Sequence, residues 1–570
     1  MERIRDILRP ATGGIPASCV TALLFAFVFA GIRPTAEAQN TVGLIRSDPR
    51  ACPGYTLFAP IMSTSAFLID NEGRLVHRWD GTYMPGLAVY LLENGNLIRM
   101  CRTNPADPEG GGRIEEVDWE GNLVWSLNSS QTPYEFHHDI APMPNGNFLV
   151  VARETKSKEE AIAAGRDPRY FTSENFLPDL VIELKPDGHG SAGIVWEWHF
   201  WDHMSSAIPG EWKANGRPVG KDIADPGKLD INYVTNGNPD WLHCNAVDYN
   251  AALDQVVLSG HSTGELYVIS HATADYADIA AGIEAARGPA GDFLYRWGNA
   301  AVYVRGPAKG QKLFGQHDVQ WIAEGLPGEG NFLVFNNGLF RYDGPYSTVE
   351  EIVPPLREDG TYALEEGKPY APENPLWLYR APKPADFYSK NISGAQRLPN
   401  GNTLVCEGAR GRFFEVTPSG EIVWEYINPV NDSGAMQQGA APERNSVFLC
   451  RRYPREYPAF AGRDLTPGDP IERYTTEARF PRSSHGMDLS VAPNPARSDI
   501  VVRFTLETRC RVSLKVFDAL GRETARLADG VLPPGMHTRT VSTTGLRPGV
   551  YFVRFLRGKE TETAHLVVSR

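Results

Sequence analysis

Three stretches of this chain share one frame: LAVYLLENGNLIRMCR from Leu87, HDIAPMPNGNFLVVAR from His138 and SGAQRLPNGNTLVCEG from Ser393. Each is an extended run, an Asn-Gly turn and a second extended run. Asn-Gly closes tight hairpins because both residues tolerate positive φ. Looser copies start at His243 (HCNAVDYNAALDQVVLSG) and His317 (HDVQWIAEGLPGEGNFLVFNNG). A second hairpin pattern, often with Trp near its end, follows each one, as in IEEVDWEGNLVWSL and FFEVTPSGEIVWEYI. An isolated hairpin cannot bury both faces, so repeated pairs of hairpins predict four-stranded blades stacked into a β-propeller. Five copies are complete. TSAFLIDNEGRLVHRWD near the N-terminus supplies an outer hairpin without an inner one, and GAMQQGAAPERNSVFLCRR an inner pair without an outer one. Joining them closes the ring and removes an exposed sheet edge. The expected fold is therefore all-β: a six-bladed propeller over 51–457, then a small Ig-like β-sandwich over 488–570.

The repeat also places side chains. Nine residues before the turn Asn stand Leu87, His138 and Ser393, and with longer turns allowed His243 and His317 take the same place. Three adjacent blades thus begin their innermost strands with histidine, at one end of the central channel. One His alone is ordinary, but three of 13 in one register point to a site. His137 lies one step out, so two-residue alternation should turn it the other way; it is kept as a substrate-binding candidate. Six residues after the turn Asn come Arg102, Arg153 and Asn337, and the fourth inner hairpin carries His261 in SGHS. Arg153 and Asn337 are the candidates for holding an anion, since Arg offers a fixed donor fork; Arg102 is the weaker third. Asp139 and Asp318 each follow a channel histidine, where capping of a strand start is expected. The nearby aromatics Tyr134, Phe136, Trp241 and Trp321 suit packing between blades, and Trp321 is also kept as a substrate-binding candidate.

The remaining features set the context. Arg3, Arg5 and Arg9, the apolar VTALLFAFVFAG and the small-residue AEA at 36–38 read as a signal peptide over 1–38, with a lead-in over 39–50. A formal charge of −13 leaves no basic face for nucleic acid. Six of the seven cysteines remain after residue 38 without a CxxC pair, and no disulfide pairing is assigned; burial as free thiols is expected. A Pro- and Arg-rich linker is expected over 458–487.

Several imidazoles with Arg or Asn donors permit two chemistries. One neutral histidine attacks an electrophile and carries it covalently while the others shuttle protons. Alternatively three histidines hold a metal and an open water position. A non-catalytic anion-binding propeller stands as the alternative to both.

FHHDIAPMPNGNFLV, DWLHCNAVDYNAALDQVVLSGHSTGELYVIS, FGQHDVQWI with NFLVFNNG, and SGAQRLPNGNTLV with GEIVWEY together resemble the bacterial arylsulfate sulfotransferases, from about Leu57 to Pro429. The resemblance implies a six-bladed propeller that moves a sulfuryl group between phenols without a nucleotide donor, metal or other cofactor, by a ping-pong route through a sulfohistidine. It puts the nucleophile on His317 in GQHDV and the supporting proton exchange on His138 and His243. Where the family carries Arg in a Ser-Ser-Arg-His run, this chain has LSGHS, so Gly260 or His261 takes the place of a permanent cation. The stretch between Gln39 and the first blade is too short for the family's N-terminal β-sandwich. APNPARSDIVVRFTL, VSLKVFDALGRETARL and LRPGVYFVRFLRG resemble the sorting domain of type IX (Por) secretion, implying export through the periplasm to the cell surface or medium. The expected partners are a phenolic sulfate donor, a phenolic acceptor and the secretion machinery, with homodimer formation left open.

Overall fold

The structure, a computed structural model, describes residues 40–474 and 489–569, apart from 105–110, 206, 213–217, 221–222, 273–291 and a few positions in the C-terminal segment. The expected signal peptide lies outside the described residues, as does the linker beyond 474. Among the described residues no helix is long and apolar enough to cross a membrane.

Six antiparallel sheets follow one another along the chain. The first runs Pro85–Leu91, Leu97–Arg102, Gly112–Val117 and Leu123–Asn128; the second Glu135–Pro142, Phe148–Arg153, Asp179–Pro186 and Ala192–His199. The third holds Cys244–Asn250, Gln255–Gly260, Glu265–Ser270 and Tyr295–Trp297, and the fourth His317–Trp321, Phe332–Asn336, Thr348–Ile352 and Trp377–Tyr379. The fifth holds Gly394–Arg397, Thr403–Glu407, Arg412–Val416 and Ile422–Ile427. Their innermost strands pack on one another in a closed cycle, the architecture of a β-propeller.

The cycle closes differently from the two-plus-two joint expected from sequence. Val447–Tyr453 supplies one innermost strand, and Tyr55–Pro60, Ser65–Ile69 and Leu75–Asp80 supply the other three. The strand that sequence reading missed, YTLFAP, is bracketed by prolines but almost wholly buried. It pairs with Val447–Tyr453 on one side and Ser65–Ile69 on the other. The lead-in also takes part: Gly43–Ser47 pairs with the outer edge of the fifth sheet. Part of the expected linker docks as well, with Leu75 N–H donating to Asp469 O and Arg473 N–H to Met436 O.

Two features of the innermost strands shape the channel. A break in pairing register recurs near their starts, between Pro85 and Val89, Phe136 and Ile140, Cys244 and Val247, and His317 and Gln320. Near the innermost strand starts, non-glycine residues adopt left-handed backbone: Leu87 (φ 94°), His138 (60°), His243 (54°) and Asp318 (54°) beside the breaks, and Ile392 (49°) and Ser393 (92°) at the start of the fifth sheet. Each position of this kind costs of order 1–3 kcal/mol and persists because its surroundings fix it.

The second feature supplies part of that fixing. Buried carboxylates on one innermost strand accept backbone N–H groups of the next: Asp139 from Val247 (3.1 Å), Asp248 from Trp321 (2.9 Å) and Asp318 from Ala395 (2.8 Å). Asp139 also accepts from Tyr90 Oη–H and from its own strand at Ile140, while Arg451 of the closing sheet donates through Nη1 and Nη2 to both oxygens of Asp318. Sequence reading had Asp139 and Asp318 capping their own strand starts; Asp139 does so at Ile140, and both tie neighbouring sheets together. All six described cysteines in the chain are free thiols, five of them buried.

The C-terminal segment forms a three-stranded sheet (Leu489–Ala492, Ile500–Leu506, Gly535–Val541) and a four-stranded one (Cys510–Asp518, Glu523–Leu532, Gly549–Arg557, Glu560–Val568). Alternating residues of both, among them Val502, Phe504, Leu514, Val516, Val553 and Phe555, share one buried core.

Burial, with the charge of Asp318 next, pushes the Asp139 carboxyl up to about 7 from 3.8. An acid whose pKa is raised in the fold keeps a proton that the unfolded chain releases. Its contribution is therefore present below 3.8 and lost as pH rises to about 7. In parallel unfolding curves Asp139→Asn should gain stability relative to wild type across that interval; a difference that stays constant with pH would contradict this.

Candidate functional site

The kinked strand starts gather histidines into a file. Ring centroids are 5.0 Å apart for His137 and His138, 4.6 Å for His138 and His243, 5.1 Å for His243 and His261, and 5.5 Å for His261 and His317. Phe448 of the closing sheet reaches both His138 and His317, at 6.3 and 6.4 Å. All four residues expected to do chemistry, His317, His138, His243 and His261, thus lie together. Among the described residues no three or more His, Cys, Asp or Glu groups are arranged to hold a metal ion.

His317 is the most firmly held. Its Nδ1 lies 2.8 Å from Asn337 Oδ1 and 3.1 Å from Gly315 O, two acceptors, so the proton sits on Nδ1. Nε2 then carries the lone pair and accepts Ile392 N–H at 3.2 Å. Burial lowers the His317 pKa to about 4, against the opposing hydrogen bond to Asn337, so the ring is neutral at physiological pH. Asn337, expected to bind substrate, is fully buried and spends its amide on Ser389 O and Ile392 O. It positions His317 and the Ile392 segment.

The other rings differ in their anchors. His243 Nδ1 is hydrogen-bonded to Asp240 Oδ2. Burial alone would raise the Asp240 carboxyl, but that bond and the His243 charge bring it down to about 2. His138 Nδ1 lies 2.8 Å from His137 Nδ1, and His137 Nε2 lies 3.0 Å from Asp179 Oδ1. Burial, followed by the neighbouring His243, holds His138 well below the usual imidazole range. His261 is half-buried, and its ring makes no hydrogen bond to the described residues, while its carbonyl accepts Gly264 N–H. Its pKa too is driven well down, by burial and then by His317.

The alternation argument for His137 fails for a physical reason. Left-handed backbone at His138 breaks the extended alternation, so both rings stay inside, 2% and 4% exposed. The shared register of the histidines also needs adjustment: His138 and His243 occupy the left-handed position, whereas in the fourth sheet Asp318 does and His317 precedes it. Arg153 lies at the edge of this group, 3.0 Å from Glu135 Oε2 and 4.0 Å from Asp240 Oδ2. It lines a polar cleft of about 400 Å³ with Thr103, Asn128, Ser129 and Tyr134. Trp321 packs on Phe332 at 5.2 Å, four residues along the strand from His317, and serves the core between sheets. Tyr134, Phe136 and Trp241 are likewise packing groups, on His199, in the buried core and on Phe176. Sequence reading missed Asp179, Asp240, Phe448 and the Ile392 amide. Only Asp240, three residues before His243, was within reach of a local motif.

Residues 60–438 match the arylsulfotransferase (ASST) family, and residues 490–569 match the secretion system C-terminal sorting domain. No curated protein matches this chain in sequence. Similar solved structures include a Bacteroides caccae protein of unknown function, with 10% identity, 70% of this chain and 98% of that one covered, and a TM-score of 0.38. A Lactobacillus plantarum protein has 12% identity, covering 86% and 99%, with a TM-score of 0.33. The periplasmic gluconolactonase PpgL of Pseudomonas aeruginosa has 10% identity, covering 70% and 99%, with a TM-score of 0.33.

Asn337→Leu, close in volume, would remove one of the two acceptors of His317 Nδ1–H and the amide donor to two buried carbonyls. Unmet buried groups cost about 1–3 kcal/mol each, so a loss of at least about 2 kcal/mol is expected in denaturant unfolding. An unchanged midpoint would contradict the anchoring role.

Proposed function

The chain belongs to the arylsulfotransferase (ASST) family, and from that premise we propose that it moves a sulfuryl group from an aryl sulfate to a phenol through a sulfohistidine on His317, without a nucleotide donor. The observation that carries this reading is the state of His317: neutral, with Nδ1–H fixed by Asn337 and the lone pair on Nε2. A neutral imidazole so oriented is a nucleophile before substrate arrives.

In the first half-reaction Nε2 attacks sulfur, the S–O bond to the donor breaks, and the phenolate leaves with its electron pair and takes a proton. The ring becomes cationic as the N–S bond forms, and Asn337 Oδ1 accepts the Nδ1–H that carries this charge. In the second half-reaction the acceptor phenol oxygen attacks sulfur, the N–S bond returns its electron pair to Nε2, and the phenol proton passes to a base. The Ile392 amide, aimed at Nε2 by left-handed backbone at Ile392 and Ser393, is a donor for sulfuryl oxygen once Nε2 is taken. His261, whose ring has no hydrogen bond to the described residues, stands ready to donate to the same group in place of a permanent cation. His138 and His243 exchange protons with the phenols, and Arg153 contributes positive charge from beyond Asp240.

The sorting-domain match supports export, and the expected leader over 1–38 fits passage through the periplasm before release or surface display.

Rapid quenching after mixing with 4-nitrophenyl sulfate should leave about 80 Da, one sulfuryl group, on the peptide containing His317. His317→Asn should abolish both adduct and phenol release. A stoichiometric bound metal with no adduct would sink the reading.

A further inference from the structure

Asp179 has no role assigned above and His137 only that of a substrate-binding candidate in the sequence, yet both are nearly inaccessible, at 0% and 2% exposure. They sit on different strands of the second sheet: Asp179 opens the third strand, and His137 precedes the left-handed His138 on the first. Three contacts join them to the site. His137 Nε2 is 3.0 Å from Asp179 Oδ1, His137 Nδ1 is 2.8 Å from His138 Nδ1, and the His138 ring lies on His243. Neither His137 Nε2 nor Asp179 Oδ1 has an aligned hydrogen-bond partner; they face each other at 3.0 Å as a buried contact that a small rotation of either group would turn into a hydrogen bond. The second Asp179 oxygen accepts Cys244 N–H at 3.3 Å, which ties the carboxylate to the start of the next innermost strand.

Proton counting gives this chain a direction. Burial raises the Asp179 carboxyl, against the opposing His137 contact; in its ionised form it only accepts, which places the His137 proton on Nε2 and a lone pair on its Nδ1. His138 must then donate from Nδ1, which leaves the lone pair of His138 on Nε2. That nitrogen makes no hydrogen bond to the described residues.

Resting on the sulfuryl-transfer reading, we propose that Asp179, His137 and His138 form a proton relay that makes His138 Nε2 the base for the acceptor phenol, with Asp179 and His137 as positioning residues. As the acceptor oxygen attacks sulfur and the N–S bond returns its electrons to His317, the phenol proton moves to His138 Nε2. The resulting imidazolium keeps its Nδ1–H on His137, whose own Nε2–H rests on the Asp179 carboxylate. The positive charge is thus held one ring away from a buried negative group. In the next cycle the same proton leaves His138 for the departing donor phenolate, and the count closes without any further acid or base. The arrangement explains why two adjacent histidines are both buried.

The relay matters only when the acceptor arrives protonated. Asp179→Asn turns an amide N–H toward His137 Nε2, reverses both tautomers and leaves His138 Nε2 carrying hydrogen. The test loads His317 from 4-nitrophenyl sulfate and follows transfer to phenol, pKa about 10, and to pentafluorophenol, already ionised near neutral pH. The ratio of the two transfer rates should fall about 100-fold in Asp179→Asn, the size of a lost general base, and similarly in His137→Phe, which covers failure of either variant to fold. Equal slowing with both acceptors would assign Asp179 and His137 a purely structural role and overturn the relay. If wild type shows a 4-nitrophenolate burst and a His317 adduct but the ratio holds in the variants, the relay alone fails. Without burst or adduct in wild type, the sulfuryl-transfer reading fails and takes the relay with it.

Discussion

The carboxylate clasp between neighbouring innermost strands is the interaction on which the rest of the propeller depends. Asp139, Asp248 and Asp318 each take a backbone N–H from the next sheet, and Arg451 brings the closing sheet onto Asp318. With the Asn245 amide donating to Gln316 O and the Gln320 amide to Ala395 O, these directional hydrogen bonds set the spacing of the inner strands. The clasp places negative charge in a buried channel. Asp318 is paired to Arg451, whereas Asp139 stays partly protonated near neutral pH. Fixed strands can then bear left-handed residues at their starts, and those residues direct histidines where a regular strand would not.

The consequence is that three of the imidazoles, His138, His261 and His317, are neutral because they are buried together. Each ring raises the cost of protonating the next, as the downward shifts at His138, His261 and His317 record. Neutral rings give nucleophiles and bases but no standing positive charge for a sulfate ester. His261 occupies the neighbourhood where the resemblance led us to expect arginine, and Arg153 lies beyond Asp240. On the proposed reaction, charge must therefore be met by amide and imidazole N–H donors and by protons that move during the cycle. Selection for easily released or readily ionised phenols follows from that economy.

The all-β class and the ring were legible because Asn-Gly turns repeat and because a propeller leaves its periodicity in the chain. His138, His243 and His317 were legible from one count backward from those turns. The fate of His137 was not, since alternation assumes extended backbone and His138 has φ of 60°. The one-plus-three closure escaped because YTLFAP carries no turn signal of its own and its partner lies almost 400 residues away. Asp179 escaped for a similar reason: its contact with His137 crosses two strands and an insertion at 156–178, and nothing local marks it. Asn337 was found by register but given the wrong task, because register reports where a side chain begins and not what already satisfies it.

The central claim is that His317 rests neutral, with hydrogen on Nδ1 and the lone pair on Nε2. Long-range ¹H–¹⁵N correlation of the imidazole rings, with His317→Asn used for assignment, measures this directly. The expected result is a protonated Nδ1 and an unprotonated Nε2 at neutral pH, with no titration until the pH approaches about 4. Hydrogen on Nε2, or a titration near the ordinary 6.5, would contradict it.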